Sequence, residues 1–254
     1  MPQDSPARPV TLDDVARTRR LPVPPMSATR ARRILLRSVG RDLRRGLARV
    51  AIAGEPPRTG AVLAPSHVSW WDGYLLTGMA GLVGRTGSVM MARPQLDAFP
   101  YLRLVGARPP SAVPALARDA ATGRWVVVFP EGEIRAPGAP FPTLHDGAAW
   151  VARRASVPLV PVALRVLQRG RRTPEAFLRF AESLDAASPN LRGTTAQLAH
   201  ALRLAEERLD ADVAGTPPDD VPRGYRVVLH GHDGAPRETS PASRLLAAMT
   251  RGVE

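Results

Sequence analysis

The sequence predicts an α/β domain, with a mixed, mostly parallel central sheet flanked by helices and a basic amphipathic helix on its N-terminal side. Three observations lead there. Short Val-rich runs pass without polar interruption, as in strands buried on both faces. Segments of helical period separate these runs, the rhythm of a helix-covered sheet. The chain is 254 residues long and 44% hydrophobic, enough to bury a sizeable core. Gly (21) and Pro (27) together stay below the share typical of low-complexity chains, and no repeat of 20–50 residues recurs.

Residues 1–28 hold six prolines without sustained periodicity and read as an irregular arm. Residues 29–54 read as the basic helix. At 100° per residue, Leu36, Val39, Leu43, Leu47 and Val50 fall within an arc of about 80°, while Arg37, Arg41, Arg44, Arg45 and Arg49 share the opposite side. Gly54 and the Pro56-Pro57 pair end it. Residues 55–254 form the main domain. Strands are expected at 61–64, 88–91, 125–129 and 158–164, with further ones at 176–180 and 226–229. Helices are expected at 70–80, 94–105, 113–122, 144–155 and 191–209, with a terminal one near 243–250.

Net charge is +12, all 35 basic residues are Arg, and 13 of them lie in the first 60 residues against five acids. The basic character is local. Absence of Cys excludes disulfides, thiolate metal sites and a Cys nucleophile. No run approaches the roughly 18 apolar residues of a membrane span, and the start lacks an apolar signal-peptide core. The expectation is a cytoplasmic protein, peripheral on the inner face of the membrane.

Two segments carry candidate chemistry. The first is Ser66-His67-Val68-Ser69-Trp70-Trp71-Asp72, directly after the 61–64 strand. On one continuous helix His67 and Asp72 would stand roughly 140° apart around the axis and about 7.5 Å apart along it. They meet if His67 occupies the turn and Asp72 the first helical turn, for which Ser69 is a good N-cap. Ser69-x-x-Asp72 also reads as a capping box with His67 a loop residue. The second is Phe129-Pro130-Glu131-Gly132-Glu133-Ile134-Arg135, at the end of a strand, where ligands of open α/β sheets gather. Alone it also reads as an ordinary strand-ending turn. Trp70 and Trp71 are candidates for the floor of an apolar pocket or for the core. His230-Gly231-His232-Asp233 lacks further ligands to make a metal site, and no Walker A or Gly-x-Ser-x-Gly pattern occurs.

Together the two segments resemble the blocks of the 1-acylglycerol-3-phosphate acyltransferase (glycerolipid acyltransferase) superfamily. His67 and Asp72 fill its His-x4-Asp block, and residues 129–132 match its Phe-Pro-Glu-Gly block about 60 residues on. Residues 141–163, with Gly147-Ala148 and the run 157–162, resemble the stretch carrying the fourth block. The resemblance implies acyl transfer from acyl-CoA or an acyl carrier protein (ACP) to the hydroxyl of a lipid acceptor, without another cofactor or a metal. His67 would act as general base and Asp72 would orient it. Glu131, Gly132 and Arg135 would line the acceptor site, with Arg108 of the compressed second block contributing. Two departures bear on the acceptor. The family's Arg stands three residues after the motif Glu, where this chain has Ile134, and Arg135 comes one later. The second block is shortened to Gly106-Ala107-Arg108. The basic helix either lies on an anionic membrane surface with its apolar stripe in the acyl boundary, or packs that stripe on the domain's own core and leaves the arginines solvated. A different class of function, a non-catalytic lipid- or nucleic-acid-binding protein using the Arg-rich segment, is the alternative. Low aromatic content (5%) and the lack of a nucleic-acid motif make nucleic acid the weaker partner.

Overall fold

A computed structural model describes residues 27–232 and the single residue Met249. Ser27 caps the first helix, its hydroxyl accepting the Arg30 N–H. The elements in order are α1 (Ala28–Gly46), β1 (Arg49–Ala53), β2 (Ala61–Pro65), α2 (Asp72–Leu82), β3 (Gly87–Met90), α3 (Arg93–Ala98), β4 (Ala107–Arg108), α4 (Val113–Ala121), β5 (Trp125–Val127), α5 (Gly147–Ala155), β6 (Leu159–Leu167), β7 (Glu175–Phe180), α6 (Leu191–Ala214) and β8 (Arg226–His230). Among the described residues eight strands join one sheet in the order β4-β3-β5-β2-β6-β7-β1-β8. The first five are mutually parallel. β7 runs antiparallel to β6, β1 runs parallel to β7, and β8 reverses again at the edge.

Helices cover both faces. On one, Val39, Leu43 and Leu47 of the α1 segment and Leu75, Leu76 and Met79 of α2 pack on Ile52, Leu63, Trp125 and Val162. On the other, Leu116 of α4, Val151 of α5 and Leu198 and Leu202 of α6 pack on Val62, Ala64, Val126 and Leu159. Successive residues of β2 thus serve opposite layers, as the strand's period of two requires.

The largest correction concerns residues 29–54. The helix ends at Gly46, and Arg49–Ala53 is strand β1, paired with β7 and β8. Leu43, Leu47, Val50 and Ile52 all point into the core, so the apolar arc continues while the backbone has become extended. Val39, Leu43, Leu47 and Val50 are buried. The stripe packs on the domain's own core and is not free to enter a lipid layer. Arg49, expected on the solvent arc, is also buried; it pairs with the fully buried Glu175 and donates to the carbonyls of Asp219 and Asp220. Gly46 is needed where the helix stops, because a Cβ there would strike the Trp71 ring.

Other differences are smaller. The expected helix at 94–105 splits into α3 and a 3-10 turn, Pro100–Val105, since Pro100 lacks the N–H that would continue it. The two-residue β4 is too short to leave a sequence pattern, and α6 extends to Ala214. The expected terminal helix near 243–250 lies outside the described residues apart from Met249, as does nearly all of the 1–28 arm. Among the described residues no helix is long and apolar enough to cross a membrane.

Candidate active site

β2 and β5 are hydrogen-bonded neighbours running the same way, so the turns that follow them emerge side by side at one sheet edge. His67 leaves β2 two residues after its last strand position, and Asp72 opens α2. Their side chains meet: His67 Nδ1 lies 2.9 Å from Asp72 Oδ2. The same oxygen accepts the N–H groups of Val68 (2.8 Å) and Ser69 (2.9 Å). The capping geometry and the His–Asp pair therefore coexist: one carboxylate closes the turn and holds the imidazole. Asp72 is fully buried, and its charge sits at the favourable end of the α2 dipole. A carboxylate oxygen occupied by donors makes Nδ1 the hydrogen-bearing nitrogen, which leaves the Nε2 lone pair as the basic site.

The 129–135 turn supports this imidazole. The Phe129 ring stacks on it with centroids 4.0 Å apart. Glu131 Oε1 accepts the His67 backbone N–H (2.9 Å), and the Arg135 N–H donates to the His67 carbonyl (2.7 Å). Gly132 sits at φ +81°, where an added Cβ would also come within 3.1 Å of the His145 ring. A side chain there would be strained twice over. Burial pushes the Glu131 carboxyl above the ordinary range, opposed by the His67 N–H and by Arg135.

Of the sequence-predicted residues, the structure brings His67, Asp72, Glu131, Gly132 and Arg135 together. The Arg135 guanidinium turns inward. Its Nε faces Glu131 Oε2 at 3.0 Å, its other end pairs with Glu206, and its carbon lies 5.3 Å from the Phe141 ring centroid. Arg108 is apart from this group. It ends the edge strand β4, three strand spacings from β2, about 14 Å, and pairs with Asp119 at 2.9 Å. Trp71 packs partly into the core, whereas Trp70 is 65% exposed. Two contributors went unread in the sequence. Ser66 Oγ accepts the Leu164 N–H and ties the His67 turn to β6. Glu206 belongs to no motif; its one signal is its place on the buried face of α6, four residues after Leu202 and three before Leu209.

Residues 49–165, which include both turns, match the family model described as Acyltransferase. That segment is similar to the acyltransferase superfamily whose motifs the sequence resembles. Among solved structures, this chain is similar to the 1-acyl-sn-glycerophosphate (LPA) acyltransferase PlsC from Thermotoga maritima. That likeness covers 74% of this chain and 85% of the other, with a TM-score of 0.56 and 19% identity. At that identity the likeness is one of fold. Glu206 lies beyond the family-matched segment.

Proposed function

We propose that the protein moves a fatty acyl group from an acyl-CoA or acyl-ACP thioester directly to the hydroxyl of a lysophospholipid, glycerolipid-like or other amphipathic acceptor. The observation that carries this reading is the 2.9 Å contact between His67 Nδ1 and the buried Asp72 carboxylate, which leaves Nε2 as a base. An alcohol is a weak nucleophile towards a thioester near neutral pH, and a positioned base contributes about 10²–10⁴-fold. His67 Nε2 takes the hydroxyl proton as the oxygen bonds to the thioester carbon. Asp72 stabilises the resulting imidazolium. The carbon–sulfur bond then breaks, and the imidazolium returns its proton to the departing thiolate. No enzyme nucleophile is required, in keeping with a chain without Cys.

Two further features favour an amphipathic acceptor met at a membrane surface. A cleft between α1, α2 and the sheet includes Gly73, next to Asp72, and is lined by Leu36, Leu76, Ala80 and Val127 together with Arg32 and Arg85, an apolar wall with cationic groups that complements an amphipathic molecule. Beside the His67 turn runs an aromatic band: exposed Trp70 stacks on Tyr74 at 4.6 Å, and Tyr101 meets Phe99 at 6.1 Å. Burial, with Tyr101 and Asp42 close by, raises the Tyr74 pKa. Aromatic rings of this kind favour the water–lipid boundary, and the exposed Arg37, Arg41, Arg44 and Arg45 of α1 complement anionic headgroups.

The test supplies purified protein with long-chain acyl-CoA or acyl-ACP and mixed lipid acceptors in anionic vesicles. Equal yields of free thiol and acylated lipid are expected. Thiol release with free fatty acid alone would make it a hydrolase, and no release would leave a lipid-binding protein.

A further inference from the structure

We infer that Glu206, on α6 and outside the family-matched segment, is a positioning residue for the proposed base His67. This rests on the acyl-transfer reading above. His67 is gripped at both its backbone groups by one turn: its N–H by the Glu131 carboxylate and its carbonyl by the Arg135 N–H. That turn holds its shape through the Arg135 side chain, which bridges from Glu131 to Glu206. Glu206 is anchored in its turn. Its second oxygen faces Arg165 at 3.5 Å, and Arg165 makes two 2.8 Å hydrogen bonds to Asp210 one turn further along α6. Alternating charges therefore run from the base's own backbone to the surface, in the order Glu131, Arg135, Glu206, Arg165, Asp210.

The order of burial makes the middle of this chain decisive. The side chains of Glu131, Glu206 and Arg135 are 1%, 6% and 12% exposed, whereas Asp210 is 52% exposed. A buried ion whose partner is removed must find another or reorganise. Without Glu206 the Arg135 guanidinium loses one of its two carboxylates, and the turn it braces is free to move relative to His67. Displacements of about 1 Å at a reacting group cost on the order of 10²-fold in rate. Arg135 therefore serves the geometry of the base, and its loss should register in kcat more than in acceptor KM.

The experiment compares Glu206→Ala, Glu206→Asp and Glu206→Gln in the full chain. Folded fraction is set by circular dichroism. Steady-state kinetics are measured with acyl-CoA and lysophosphatidate, and hydrogen exchange is followed at the His67 amide. Glu206→Ala and the shortened Glu206→Asp should lower kcat about 10- to 100-fold, with both KM values within about threefold. Glu206→Gln keeps an acceptor oxygen for Arg135 and should recover most of the loss. The His67 amide should exchange about tenfold faster in Glu206→Ala than in Glu206→Gln, in step with the released clamp. If Glu206→Ala does not fold, the Asp and Gln pair carries the same comparison. Normal kcat in folded Glu206→Ala or Glu206→Asp would overturn the inference. So would a rise in acceptor KM at unchanged kcat, or a loss that merely tracks the folded fraction. Failure of the wild-type protein to transfer acyl groups would sink the acyl-transfer reading instead, and the exchange comparison would still decide whether Glu206 holds His67.

Discussion

Each group around the imidazole has a separable duty. Asp72 both shapes the turn and faces Nδ1, so its replacement distinguishes the two. Asp72→Asn keeps an oxygen for the Val68 and Ser69 N–H groups but removes the charge that would stabilise an imidazolium. It should lower kcat by about 10²–10⁴-fold while thermal unfolding stays within a few degrees of wild type; parallel kinetics and calorimetry check this. A variant with near-normal kcat would mean that the pair is only a cap. His67, Asp72 and Glu131 could be read from the sequence because each lies in a short motif beside a strand end. The inward turn of Arg135 could not, because its partner Glu206 lies 71 residues away on a helix that packs against it only in the folded chain.

At the level of elements, α1 and β1 show where a pattern underdetermines structure. An apolar residue every three or four positions is satisfied by Leu43, Leu47 and Val50 whether the backbone stays helical or turns into a strand after Gly46. The partner strands β7 and β8, more than 120 residues away, decide the outcome. Removing residues 1–52 therefore takes a strand out of the sheet and should abolish cooperative urea unfolding. Leu43→Ala should cost about 2–5 kcal/mol, read from the same transition. A truncated protein that still unfolds cooperatively with an unchanged midpoint would contradict this placement.

The edge strand β4 carries a pH-dependent pair. Burial pushes Asp119 upward, but hydrogen bonds from Arg108 and Ser88 outweigh it and hold the carboxyl below its ordinary value. Stability from such a lowered group is present above the ordinary carboxylate pKa and is lost as pH falls through the lowered one. Arg108→Ala should thus be less stable than wild type near neutral pH, by about 1 kcal/mol or less because Arg108 is partly exposed. The difference should shrink in strong acid, as pH falls through that lowered pKa. Urea titrations at neutral and at acid pH measure it; a gap that persists in acid would assign the cost to packing instead.

Over the whole molecule, the fold brings the predicted motifs to one sheet edge and sets the arginine face of α1 on the same side of the sheet as α2. The alternation of Val-rich strands with helices made this α/β arrangement legible, and the strand ends located the site. Sheet order was not legible, because it depends on long-range pairing that leaves no local pattern. With the α1 stripe buried, the proposed membrane attachment would rely on exposed groups. Arg37→Glu combined with Arg41→Glu should weaken co-sedimentation with anionic vesicles severalfold, and added salt should weaken wild-type binding too. Trp70→Ser should lower it independently of salt. Binding unchanged by all three would move the docking surface elsewhere.

The most direct test of the central claim is the kcat of His67→Ala for acyl transfer to lipid, measured on protein whose unfolding transition matches wild type. The account predicts a loss of at least about 10²-fold, with acyl-CoA binding retained. Turnover within a few-fold of wild type would contradict it and remove His67 from the chemistry.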